Sequence, residues 1–109
     1  MSVKLKMTGE VLTAYLSGEL DHHNAREMRE AVDEAIELNH PSMLVLDFGE
    51  VGFMDSSGIG FIMGRYRNLS RYGATIHISD APPAILKMMK LAGVEKLATL
   101  PKNAKGEAK

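Results

Sequence analysis

The chain has 109 residues, a formal net charge of −1 and no cysteine. That length suits one domain with a real core, and the near-neutral balance supplies no basic surface for nucleic acid or an anionic membrane. The lack of cysteine excludes disulfides, thiolate metal sites and cysteine nucleophiles; no apolar run reaches the roughly 18 residues of a membrane span, and no secretory apolar segment opens the chain, so a cytoplasmic location is expected.

Val3, Leu5 and Met7 alternate with polar neighbours, the period-two pattern of a half-buried strand. Gly9-Glu10 reads as a turn, and residues 11–17 as a second strand closing an antiparallel hairpin, ended by Gly18. Asp21 is the expected N-cap of a helix running to about Leu38, with Ala25, Met28, Val32, Ala35 and Ile36 as its apolar stripe. Asn39-His40-Pro41 stops it, since the residue before proline avoids helical geometry.

Residues 43–48 form a near-continuous apolar run, as in a buried strand, and Gly49 and Gly52 then suggest a short loop. Met54-Asp55-Ser56-Ser57-Gly58 opens a helix with Ile59, Ile62, Met63, Tyr66 and Leu69 at spacings of three and four, ended at Tyr72-Gly73. Residues 75–79 read as a fourth strand; Asp80 is the expected cap of a helix whose first turn holds Pro82 and Pro83 and which ends at Ala92-Gly93. Val94, Leu97 and Leu100 give a last short element. The tail from Pro101 has no apolar pattern and is expected to be disordered. The fold class is therefore α/β: one domain over residues 1–100, a small mixed sheet with an N-terminal hairpin, and helices packed mainly on one face.

The stretch Asp55-Ser56-Ser57-Gly58 is the chemically distinctive one. A helix start has unpaired N–H groups and a positive field, so its acid and hydroxyls are natural caps. One cap would suffice, yet three candidates stand in a row. Gly58, Gly60 and Gly64 also fall inside the helix, where each glycine costs about 1 kcal/mol relative to alanine. Such costs suggest close approach of a neighbouring element or another protein.

Other chemistries fit less well. Gly58, Gly60 and Gly64 followed by Asp80 imitate a dinucleotide fingerprint, but the true motif follows its strand directly and Asp55 would repel a phosphate. His22 and His23 are adjacent and would point apart on a helix; with no H-x-x-x-H or H-E-x-x-H pattern, no metal site and no cofactor are expected. His77 reads as a core-edge residue. A hydrolase nucleophile at Ser56 lacks the G-x-S-x-G elbow, although Asp21 and His22 could come near it.

Glu19-Leu20-Asp21-His22-His23 together with Phe53-Met54-Asp55-Ser56-Ser57-Gly58-Ile59-Gly60 resembles the anti-sigma factor antagonists of the STAS domain family, and Gly64-Arg65-Tyr66 is similar to the sporulation-type members. The resemblance spans about residues 1–100. It implies a non-enzymatic regulator whose unphosphorylated form binds an anti-sigma factor with serine kinase activity, together with its nucleotide, and so frees a sigma factor. It further implies that Ser56 is phosphorylated by that kinase and restored by a serine phosphatase, and that Asp21, Asp55, Ser56, Ser57, Gly58, Ile59 and Gly60 form the partner surface. The alternatives are a STAS module of another partner-switching or transport system, or a small hydrolase.

Overall fold

A computed structural model describes residues 1–106 of the chain. Its elements run β1 (Ser2–Thr8), β2 (Val11–Leu20), α1 (Ala25–Asn39), β3 (Met43–Met54), α2 (Ser56–Ser70), β4 (Thr75–Ser79) and α3 (Pro83–Leu91), followed by a 3-10 turn (Val94–Lys96). The strands lie in the order β1-β2-β3-β4, with β1 antiparallel to β2 and the other pairs parallel. This is the mixed sheet with an N-terminal hairpin that the alternation predicts.

Strand periodicity determines which face is buried. Leu12, Ala14 and Leu16 of β2, Leu44, Leu46 and Phe48 of β3, and Ile76 and Ile78 of β4 all point to the helix side and are buried. Their alternates, Thr13, Val45 and His77 among them, are only half-buried on the opposite face. Met28, Val32 and Ile36 of α1 and Ile62 and Leu69 of α2 close the core from the helix side. His77 does not mark a bare sheet edge, because β4 also meets Thr99: the Ile78 N–H donates to the Thr99 carbonyl at 2.8 Å, and the Thr99 N–H to that of Ile76 at 3.0 Å.

Both central strands are longer than the glycines suggest. Gly18 does not end β2; it sits at φ +102 next to a register shift and the strand continues to Leu20. Nor do Gly49 and Gly52 make a loop. Tyr15 pairs with Asp47 but Ser17 with Glu50, and Gly18 pairs with Val51 but Glu19 with Phe53. β3 thus carries one extra residue at each shift, and its two glycines fall in these bulges, where side-chain-free backbone bends most easily.

Helix starts also differ from expectation. Asp21 caps a turn that precedes α1, the helix beginning only at Ala25. Asp80 caps nothing: it has φ +55, and α3 starts with Pro83 at its first position after an extended Pro82. The chain after Pro101 was expected to be structureless, yet Ala104 is buried and the Lys105 N–H donates to the Ala81 carbonyl at 2.8 Å. The Lys105 ammonium also donates to the Gly49 carbonyl. The rest of that expectation, for residues 107–109, lies outside the described residues.

Candidate functional site

β2 and β3 end side by side, Leu20 opposite Met54. The two loops that leave them therefore share one edge of the sheet, which brings Asp21 and Asp55 together across the sequence. The Asp55 N–H donates to the Leu20 carbonyl at 3.3 Å, stitching the second loop to the first.

Asp55 is the N-cap of α2. Its backbone is extended (φ −108, ψ −169) and its carboxylate accepts the Ser57 N–H at 2.8 Å. Partial burial alone would raise the Asp55 pKa; the Ser57 N–H and hydroxyl, with the backbone and imidazole of His22, more than offset that and hold the carboxyl below its ordinary value. Ser56 is the first helical residue and is exposed, and its hydroxyl has no hydrogen-bond partner among the described residues. The Ser57 N–H is already used by Asp55, so the helix end is no open cradle for a dinucleotide pyrophosphate.

Asp21 sits one loop away. One carboxylate oxygen accepts the His23 N–H at 3.0 Å, the Asn24 N–H at 3.1 Å and the Asn24 side-chain amide at 3.0 Å. Among the described residues Asp21 makes no hydrogen bond to Ser56; its link to the site runs through its neighbours, Leu20 to Asp55 and His22 to Asp55. His22 and His23 lie in this turn and not on a helix, with ring centroids 4.0 Å apart, and His22 Nδ1 is 3.7 Å from an Asp55 oxygen. Among the described residues no group of three or more His, Asp or Glu side chains is arranged to hold a metal.

The glycines divide by role. A Cβ on Gly58 would run into the buried Met54 side chain, 2.5 Å from its sulfur, and reach 3.3 Å from Leu20. Gly58 is therefore an internal packing residue that lets α2 sit down on the ends of β2 and β3. A Cβ on Gly60 or Gly64 would meet nothing within 4 Å. Gly60 lies between two concavities. On one side Ser56, Ile59, Met63, Met88 and Leu91 line an open, mainly apolar trough of about 630 Å³. On the other, between α1 and α2, His22, Arg26, Arg29, Ser57 and Phe61 line a cleft of about 370 Å³.

The apolar stripe of α2 accounts for the trough. The sequence pattern suggests Ile59, Ile62, Met63, Tyr66 and Leu69 as the core face, but the buried residues are Gly58, Phe61, Ile62, Arg65 and Leu69. The face is rotated because Gly58 allows close approach and Arg65 replaces an apolar residue. Met63 is left 39% exposed, and Leu91 at the end of α3 is 80% exposed. Met63, Met88 and Leu91 were not among the expected site residues. The exposure of Leu91 follows from where α3 docks, and only the mismatch of two overlapping helical stripes could have hinted at Met63.

Known proteins resemble the chain as a whole. Residues 3–101 match the family model described as Mlab, STAS domain. The chain is 34% identical over 97 residues to the anti-sigma F factor antagonist of Paenibacillus polymyxa, covering 89% of this chain and 83% of that one. It is 30% identical over 95 residues to the protein of the same name from Lysinibacillus sphaericus, covering 86% and 81%. Among solved structures it superposes on the anti-sigma factor antagonist SpoIIAA in its unphosphorylated form with a TM-score of 0.79 at 28% identity, over 94% of this chain and 90% of that one. The phosphorylated Bacillus SpoIIAA gives 0.72 at 28% identity, over 94% and 93%.

Proposed function

Since this chain belongs to the STAS domain family, we propose that it is an anti-sigma factor antagonist switched by phosphorylation of Ser56. The unphosphorylated form binds an anti-sigma factor that is also an ATP-dependent serine kinase and thereby frees a sigma factor; the kinase modifies Ser56, the complex dissociates, and a serine phosphatase restores the free hydroxyl. The naming of its relatives as anti-sigma F factor antagonists supports this role, the likeness to SpoIIAA favours the sporulation type, and a cytoplasmic setting is part of the same proposal. The chain acts as substrate and ligand, not as an enzyme. The observation that carries the proposal is the exposed, unbonded Ser56 hydroxyl at the start of α2, beside an apolar trough and beneath an ionised cap.

The geometry makes the switch physically sensible. A phosphoserine adds about −1.5 to −2 charges at neutral pH. At the first turn of α2 that charge meets the positive end of the helix, so the fold should survive modification. At a binding surface the effect is opposite. Asp55 is ionised and adjacent, Asp21 is one loop away, and the trough would be desolvated by a partner. Crowding of negative charge across such an interface can cost several kcal/mol, on the order of 10²-fold in affinity. Asp21, Asp55, Ser57, Ile59 and Gly60 are proposed contacts, and Gly58 supports them from inside. Incubation with an anti-sigma F factor and ATP, followed by fragmentation mass spectrometry, should find the phosphate on Ser56 and none in Ser56→Ala. Modification of Ser57 alone, or none, would refute the assignment.

A further inference from the structure

The cleft between α1 and α2 adjoins the Ser56 surface and has a chemistry of its own. Arg26 and Arg29 line it with His22, Ser57, Gly60 and Phe61. The Arg26 Nε lies 3.0 Å from Glu30, but both side chains are well exposed, so this pair exchanges readily with other partners. Arg29 is exposed and makes no ion pair or hydrogen bond among the described residues. Beneath them is Arg65, only 4% exposed, whose guanidinium lies 5.3 Å from the centre of the Phe61 ring. Its Nε is 2.8 Å from an Asp33 oxygen without being aligned for a hydrogen bond, and its Nη1 has no acceptor. Native proteins rarely leave such a buried donor unmatched.

The acids nearby are engaged. Asp33 is held by Arg65 and by the Asn68 amide at 3.1 Å, Glu30 by Arg26, and Asp55 by the Ser57 N–H and His22. The excess charge of the cleft is therefore positive and centred on Arg29. We propose that this cleft receives an acidic side chain of the partner protein. A carboxylate suits planar guanidinium donors, which can grip it with two parallel bonds. The cleft also adjoins the Ser56 surface: Gly60 lines both it and the apolar trough, and a Cβ added there would meet nothing within 4 Å. A partner segment crossing α2 at Gly60 would set an apolar side chain in the trough and an acid in the cleft. This assignment rests on the function proposed above, because it names a determinant of that same partner.

The test is Arg26→Gln/Arg29→Gln, with Lys4→Gln/Lys6→Gln on β1, two equally exposed cations, as a charge-matched control away from the cleft. Both arginines are exposed, and unfolding midpoints should confirm an intact fold. Affinity for an anti-sigma F factor is measured at low and at physiological ionic strength. The double variant should bind about tenfold more weakly at low salt, with a visibly shallower salt dependence, while the control keeps both wild-type values. Wild-type affinity and salt slope in the double variant would overturn the assignment. Saturable binding of inorganic phosphate that is lost in the double variant, with partner affinity unchanged, would overturn it in favour of a small-anion site. If the wild-type chain itself failed to bind the anti-sigma factor, the functional proposal would fall first and this inference with it.

Discussion

Replacing Gly58 and Gly60 separately by alanine should move stability in opposite directions, although both lie in the same turn of α2. Intrinsic propensity favours alanine at either position by about 1 kcal/mol. At Gly60 nothing within 4 Å opposes the new methyl, so the whole gain should appear as added stability. At Gly58 the methyl would press into Met54, which is 3% exposed, and crowd Leu20, which is fully buried. Overpacking of this kind costs about 1–3 kcal/mol, which leaves a net loss of about 1 kcal/mol after the propensity gain. The two variants should thus differ by about 2 kcal/mol, or about 10 °C in melting temperature for a domain of this size. Urea titrations followed by far-ultraviolet circular dichroism give both midpoints. Trimming the obstacle tests the cause: Met54→Ala in the Gly58→Ala background should cost less than Met54→Ala alone, with a coupling of about 1 kcal/mol. A Gly58→Ala protein as stable as Gly60→Ala, or an absence of coupling to Met54, would refute the packing argument.

Gly60→Leu should fold normally yet lose binding to an anti-sigma F factor by titration, because the new side chain fills the saddle between trough and cleft. Asp21→Asn should keep its stability, since an amide oxygen can accept the same three donors, while affinity for the anti-sigma factor or the rate of Ser56 phosphorylation falls about tenfold. The folded-state pKa of Asp55 is lowered, so its contribution to stability should be complete above the ordinary carboxylate pKa and vanish as pH falls through the lower, folded value. Unfolding midpoints from about pH 6 to pH 2 should show that loss, and Asp55→Asn should remove it from the profile. Asp33→Ala would strand the buried Arg65; breaking a fully buried pair costs about 3–5 kcal/mol, but Asp33 is 36% exposed, so a loss of about 1–2 kcal/mol in urea unfolding is expected.

Local chemistry alone determined a good deal here. The apolar run at residues 43–48 and the helical spacing of Met28, Val32 and Ile36 each specify an element and the face it buries, because these periods are properties of the backbone, whereas alternation in residues 1–8 specifies a strand but not its burial: Val3 and Met7 are half-buried and Leu5 is exposed. Asp55 as cap of α2 was legible for the same reason, its carboxylate reaching an N–H two residues along the chain. The shared edge for Asp21 and Asp55 followed from parallel strands trailed by helices. What tertiary structure decided were matters of neighbours. Gly18, Gly49 and Gly52 look like strand ends, yet pairing between β2 and β3 is extensive enough to carry both strands through their bulges. Gly58 and Gly60 look alike in sequence and differ only in what stands opposite them, Met54 for one and open space for the other. Met63 and Leu91 become surface because α2 is rotated and α3 docks where it does, and Arg65 becomes buried for the same reason. A residue's periodicity states which side of its own element it occupies; what lies on that side is set by contacts distant in sequence, and those decide which surfaces remain for a partner.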